Sequence, residues 1–305
     1  MKVMPESVYI IADIEGSSGC WNYEGSQFRT AEWASACVEM SRDVHAVARA
    51  LFDAGVRNVF IKDFHRTGYN LLPELIDGRA RVIHGYRRGP VPGIGGTFGT
   101  DSLLMIGMHA ASGSDGFLAH TLTSRIARLE VNGRLMCEAE FFSSSLAEFG
   151  LRPLFLSGCP VACRQAQEAL PGIRTCAIEK AGSMENFDRL EWRKRLSESA
   201  VESLEKSSAV PFRPAGPFEA KVTMRDGEEA ARTIARRWGI DRSGNVLHLR
   251  TDVFDELYLS LIRICYFTPF IERILPLGLF LFNSMGRAGL SWVRRFVKQR
   301  DLLNN

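Results

Sequence analysis

The chain has 305 residues and a formal charge of +3, with 46% hydrophobic, 10% aromatic and 24% charged residues. These proportions exclude a disordered or fibrous chain, and so small a net charge gives no reason to expect nucleic acid as a partner. Seven scattered cysteines read as reduced thiols of a cytoplasmic protein, and the apolar run Val8 to Ala12 is too short for an export signal.

In chain order, Ser7 to Ala12 is a β-branched, aromatic run that predicts a buried strand. Between Thr30 and Ala54, Trp33, Cys37, Met40, Val44, Val47, Ala48 and Leu51 recur at helical spacing, and Gly55 is a C-terminal stop. A strand at Asn58 to Ile61, a short helical piece at Leu71 to Ile76, and strands at Arg81 to His84 and Ser102 to Met108 follow. Arg125 to Val131 and Arg134 to Met136 flank Asn132-Gly133, whose residues accept the positive φ of a tight hairpin turn. Helix at Glu140 to Phe149, strand at Pro153 to Leu156, helix at Ala162 to Leu170, strand at Thr175 to Ile178 and a charged helix from Met184 to Lys206 continue the alternation.

The stretch 207–217 holds three prolines and reads as a linker. Beyond it come a strand at Phe218 to Met224, a helix at Gly227 to Trp238, a strand at Asn245 to Leu249 and a helix from Val253. The expected fold is therefore α/β, a mostly parallel sheet flanked by helices, with an inserted hairpin and a smaller C-terminal α/β part. The expected division is 1–206, 207–270 and an apolar, basic tail at 271–305.

Ligand-type side chains fall where these elements end. Asp13 and Glu15, one residue apart after a strand, point the same way on extended backbone, and Asp63 and His65 repeat that spacing. His109 follows an apolar strand, and Glu138 follows the hairpin. In open α/β sheets the carboxyl ends of the strands border the binding crevice. Mixed carboxylate and imidazole ligands suit zinc, with manganese or cobalt as alternatives, and five of them can hold one or two ions. Taken singly, such residues are commonly caps or structural groups; their joint placement is what points to a site. Gly93, Gly95, Gly96 and Gly99 precede a strand instead of opening a helix, so they do not form a phosphate loop.

At these residues the chain resembles the D-aminopeptidases of the DppA type. The matching stretches are Ala12-Asp13-Ile14-Glu15-Gly16, Lys62-Asp63-Phe64-His65 with Asn70, Ile106-Gly107-Met108-His109-Ala110, Leu118-Ala119-His120-Thr121, and Asn132-Gly133-Arg134 leading to Glu138. The resemblance implies a zinc metallopeptidase of α/β fold that oligomerises with its own copies. It implies Asp13 as a bridge between two ions, Glu15, His65, His109 and Glu138 as the other ligands, and His120 as the catalytic residue. Water activated by the metals would then attack a small peptide or amide, with His120 moving the proton. The chain departs from the family at Gly158-Cys159, where relatives carry Gly-Asp, and an acidic role there is missing.

The same ligands would also serve a metal-dependent phosphoester or other acyl hydrolase, and the fold without activity would be a scaffold protein. From Ile264 to Met285 the tail is apolar but broken by Pro269, Glu272, Arg273 and Pro276, so it does not read as a membrane span. Leu290, Trp292, Val293, Phe296 and Val297 interleave with Arg294, Arg295 and Lys298. That basic amphipathic helix either packs on its own domain or makes peripheral contact with a membrane surface.

Overall fold

A computed structural model describes residues 4–180 and 183–300. Strand β1 (Ser7–Ala12) leads to helix α1 (Ala31–Asp53), then β2 (Asn58–Asp63), β3 (Arg81–Ile83) and β4 (Ser102–Met108). The hairpin β5 (Ile126–Val131) and β6 (Arg134–Leu135) follows, then α2 (Glu138–Leu146), β7 (Arg152–Gly158), α3 (Pro160–Ala169), β8 (Arg174–Ala177) and α4 (Arg189–Lys206). After 207–217 come β9 (Phe218–Met224), α5 (Gly227–Trp238), β10 (Asp241–Ser243), β11 (Val246–Thr251), α6 (Phe254–Tyr266), α7 (Pro269–Arg273) and α8 (Leu275–Gln299).

The first sheet is parallel, in the order β3-β2-β1-β4-β7-β8. The order reverses between β1 and β4, which is the switch point where a doubly wound sheet opens a crevice at the strand ends. β1 is buried on both faces: Val8, Ile10 and Ala12 pack with α1, and Tyr9 and Ile11 pack on the opposite side. This is the two-residue period of a central strand covered by helices on each face. All seven apolar residues predicted to line α1 are buried. Thr30 caps its first turn by accepting from Trp33 N–H, and Gly55 ends it at φ 99°.

The hairpin does not join the first sheet. β5 pairs antiparallel with β9, and a second sheet runs β10-β11-β9-β5-β6, uniting residues on both sides of the proline-rich stretch. Asn132 (φ 51°) and Gly133 (φ 77°) make the expected turn, and the Asn132 side chain bonds across to Glu219 N–H and the Pro217 carbonyl. β10 was not anticipated: Asp241–Ser243 is three polar residues with no apolar alternation, held by pairing with β11 and by the Arg242–Glu228 ion pair to α5. Glu140, expected to open α2, lies in its first turn, and the helix starts at Glu138.

The tail divides. Leu290, Val293 and Val297 of α8 are buried against α1, and Trp292 stacks on Trp33 at 6.1 Å. Arg294 makes a two-pronged pair with Glu74. The half read as amphipathic therefore packs on its own domain. Among the described residues no helix is long and apolar enough to cross a membrane.

One irregularity aims the site. In β4, Leu103 and Met105 face one side and Leu104 and Ile106 the other, but Met108 joins the first group, because a bulge at Gly107 breaks the register with β7. Gly107 sits at φ 79°, and a Cβ there would collide with the Asp13 carbonyl. Gly107→Val combines backbone strain with that collision and is expected to cost about 3 kcal/mol or more. A urea midpoint unchanged from the parent protein would show that the bulge is dispensable.

Candidate active site

Asp13, Glu15, His65, His109, His120 and Glu138 are brought together beyond the ends of β1, β2 and β4 and the first turn of α2. They fall into two trios, Asp13-Glu15-His65 and His109-His120-Glu138, in each of which the ligand-type atoms lie within 4.8 Å of one another. Asp13 connects the two: its Oδ1 is 3.2 Å from His65 Nδ1 and its Oδ2 is 3.3 Å from His109 Nε2. Glu15 Oε2 is 3.1 Å from His65 Nδ1, and Glu138 Oε2 is 3.6 Å from His109 Nε2.

The backbone decides which imidazole nitrogens carry hydrogen. His65 Nε2 is 2.9 Å from the Ser26 carbonyl, His109 Nδ1 is 3.1 Å from the Ala110 carbonyl and His120 Nδ1 is 2.9 Å from the Leu118 carbonyl. A carbonyl only accepts, so each of these nitrogens is the N–H donor. In the neutral rings, His65 Nδ1 and His109 Nε2 are then bare lone pairs aimed at carboxylate oxygens. His109 Nε2 is buried and makes no hydrogen bond of its own. Lone pairs facing anions repel unless positive charge lies between them.

That charge does not come from arginine or lysine. Asp13, Glu15 and Glu138 are each at least 95% buried, and among the described residues their ion-pair partners are histidines alone. Burial by itself would raise the Asp13 carboxyl, but the His109 and His65 imidazoles beside it hold it well below the usual range. Burial would likewise depress His65, yet Glu15 and Asp13 outweigh it and raise the imidazole to about 10. His109 is pushed up for the same reason, against its burial, by Glu138 and Asp13. Without a metal, protons must supply the compensation; divalent ions supply it without them. The donor set of carboxylate oxygens and bare imidazole nitrogens fits zinc.

This has a consequence for stability. His65 is raised from 6.5 to about 10, so its contribution in the metal-free fold is complete below pH 6.5 and is lost as pH rises through about 10. Chelator-treated protein should therefore lose on the order of a few kcal/mol across that window. Its thermal midpoint should fall with pH, and added zinc should remove the slope. A flat metal-free profile would contradict the protonated cluster.

Neighbouring residues hold the set in place. Asp63, although it repeats the Asp13 spacing, turns away and accepts from Asn70 and Leu71 N–H and from His84. Asn70 also donates to the His65 carbonyl and accepts from Trp33 Nε1, clipping the His65 loop to α1. Glu138 accepts from Leu122 N–H at 2.7 Å. Lys180, in a region without a sequence signal, is half-buried; it donates to the Glu15 and Cys20 carbonyls, and desolvation lowers its pKa to about 8. Ser26, Ala110 and Leu118 act through carbonyls, which no residue type reveals.

His120 differs from the other two histidines. Its ring stacks on His109 with centroids 3.7 Å apart, and burial together with the His109 charge lowers its pKa below 6.5. It is thus neutral at pH 7, with Nε2 free to accept a proton. At the departure noted above, Gly158 packs against the Met108 carbonyl and Cys159 is the N-cap of α3, its Sγ facing Ala162 N–H at 3.5 Å. An aspartate suits that position for the same capping reason, so the exchange to cysteine leaves the metal-type cluster complete.

A buried carboxylate and histidine centre at the switch point of a doubly wound sheet places the chain among α/β proteins with the architecture of metal-dependent hydrolases. It belongs to the D-aminopeptidase family, whose model matches residues 7–259. A D-aminopeptidase of Bacillus subtilis (strain 168) is 24% identical over 185 residues, covering 57% of this chain and 63% of that relative, so the match spans less than two thirds of the relative's length. The solved structure described as the Zn-dependent D-aminopeptidase DppA from Bacillus subtilis, a self-compartmentalizing protease, aligns with a TM-score of 0.75. That alignment covers 85% of this chain and 96% of the other at 18% identity, a likeness of fold.

Proposed function

We propose that the protein is a zinc-dependent aminopeptidase that hydrolyses small peptides or amides with a D-residue at the cleaved amino end. The observation that carries this reading is Asp13, whose two oxygens each face a bare imidazole nitrogen, joining the two trios into one centre. Asp13 would bridge two ions, with Glu15 and His65 on one side and His109 and Glu138 on the other. When bound, zinc polarises a carbonyl oxygen and acidifies water.

The chain's own residues do the rest. The three carboxylates offset most of the charge that two divalent ions would bring, so the loaded centre stays close to neutral. His120 Nε2 takes a proton from the attacking water and returns it to the departing amine nitrogen, while the Leu118 carbonyl keeps the ring in the required tautomer. The buried walls exclude bulk water, so these charges act in a low dielectric. The family, the zinc-dependent relative of like fold and the self-compartmentalizing assembly named for that relative support the same reading, with a homo-oligomer as the working form. Seven free cysteines, six of them buried, support a reducing, cytoplasmic setting.

Purified protein should carry stoichiometric zinc by plasma mass spectrometry and should cleave D-aminoacyl amides faster than their L-counterparts. Phosphoester turnover exceeding amide turnover, or a metal-free protein of full activity, would overturn the proposal.

A further inference from the structure

Residues 274–285, at the start of α8, carry no ionisable side chain, and much of their apolar surface lies open. Leu277, Phe280 and Leu281, spaced three and four apart on one helical face, are 54%, 62% and 58% exposed, and Phe270 of α7 is 69% exposed. The second half of α8 already covers α1, so this face is not needed to complete the fold. Between Glu272 and Asp301 there is no acidic residue, whereas Arg273, Arg287, Arg294, Arg295, Lys298 and Arg300 all occur there. Glu272 itself is paired with Arg263.

We infer that this face docks on an anionic lipid surface, with Phe270, Leu277, Phe280 and Leu281 entering the headgroup boundary and the flanking arginines meeting lipid phosphates. Charge complementarity selects that occupant. A two-fold contact with a second copy would set Arg273 and Arg287 against themselves with no carboxylate of the segment between them. Spanning is not the mode of contact, since among the described residues no helix is both long and apolar enough to cross a bilayer. An apolar stripe bounded by basic residues is the composition of an interfacial helix. The family match ends at residue 259, before this segment begins.

Residues next to the docking face connect to the site. Tyr266, at the end of α6, donates from its hydroxyl to the Leu122 carbonyl, and Leu122 N–H holds Glu138. Asn283 of α8 bonds the Tyr86 backbone at 2.9 and 3.2 Å, and Tyr86 donates to the Phe64 carbonyl beside His65. A membrane contact here brings one wall of the site to the surface. The inference does not depend on the reaction proposed above.

Full-length protein should sediment with phosphatidylglycerol-containing vesicles, less with pure phosphatidylcholine, and progressively less as salt is raised. The triple variant Leu277→Ser, Phe280→Ser, Leu281→Ser should bind at least about tenfold more weakly while keeping the parent's thermal midpoint and zinc content. Absence of binding to anionic vesicles overturns the inference, as does equal binding by the triple variant. A fall in particle mass in the triple variant by light scattering, with vesicles bound by neither protein, would show that the face is an interface between copies and would likewise overturn it.

Discussion

Asp13→Asn should lower kcat/KM for a D-aminoacyl amide by about 10³-fold or more, equivalent to ~4 kcal/mol of transition-state stabilisation. The substitution keeps the shape of the side chain and removes the negative charge shared by both trios. Its Oδ1 and Oδ2 each lie within 3.3 Å of an imidazole nitrogen on a different trio, so an amide must put an NH2, which does not ligate a metal, on one of the two sides. Zinc retention should fall with activity. Loss of a ligand serving one ion, as in Glu15→Gln, should cost less metal than loss of the residue common to both. Zinc content measured after dialysis against a weak chelator checks the order, and equal retention by the two variants would remove the bridging assignment. A metal-free melting curve identifies any variant that fails to fold.

His120→Gln should leave zinc content near that of the parent and reduce kcat by about 10²- to 10⁴-fold, the range of a general acid or base removed from a reacting centre. The imidazole is held neutral at pH 7, its pKa lowered below 6.5 by burial and by His109. A base is active when unprotonated. The acidic limb of the parent's kcat/KM profile should therefore fall below pH 6.5, and that limb should vanish in the variant. If His120→Gln instead releases zinc in step with activity, the residue is a ligand of the His109-Glu138 trio and the proton carrier lies elsewhere.

Much of the site was readable in one dimension. Asp13, His65 and His109 each follow a short apolar run ending in a polar residue, and in a doubly wound sheet such ends meet at one edge. Glu138 was found from the hairpin before it, and His120 only from its family resemblance. Asp63 shows the limit of that logic. Its spacing from His65 equals that of Asp13 from Glu15, yet it faces Asn70 and Leu71 N–H and takes no part in either trio. The difference lies in the loop that follows, which curls back to offer backbone donors.

The supporting groups were unreadable for a related reason. Ser26, Ala110 and Leu118 hold imidazole tautomers through carbonyls, and Leu122 holds Glu138 through an amide. Every residue except proline has both groups, so only spatial proximity singles these out. The tail was similarly divided by contact. The basic half that resembles a membrane helix in sequence is the half that packs on α1, and the exposed face lies earlier, at Leu277 to Leu281.

The sequence by itself determined the strands and helices of the parallel sheet, the ends at which ligand-type residues stand and the inventory of carboxylates and imidazoles. Each of these depends on periodicity or residue type within a few positions. Tertiary structure alone decided that β5 pairs with β9 across the proline-rich stretch, that the bulge at Gly107 reverses the parity of β4 before His109, and that imidazole nitrogens face buried carboxylates. Those outcomes depend on which distant backbone groups meet, and hydrogen-bond pairing between segments far apart in the chain leaves no local trace.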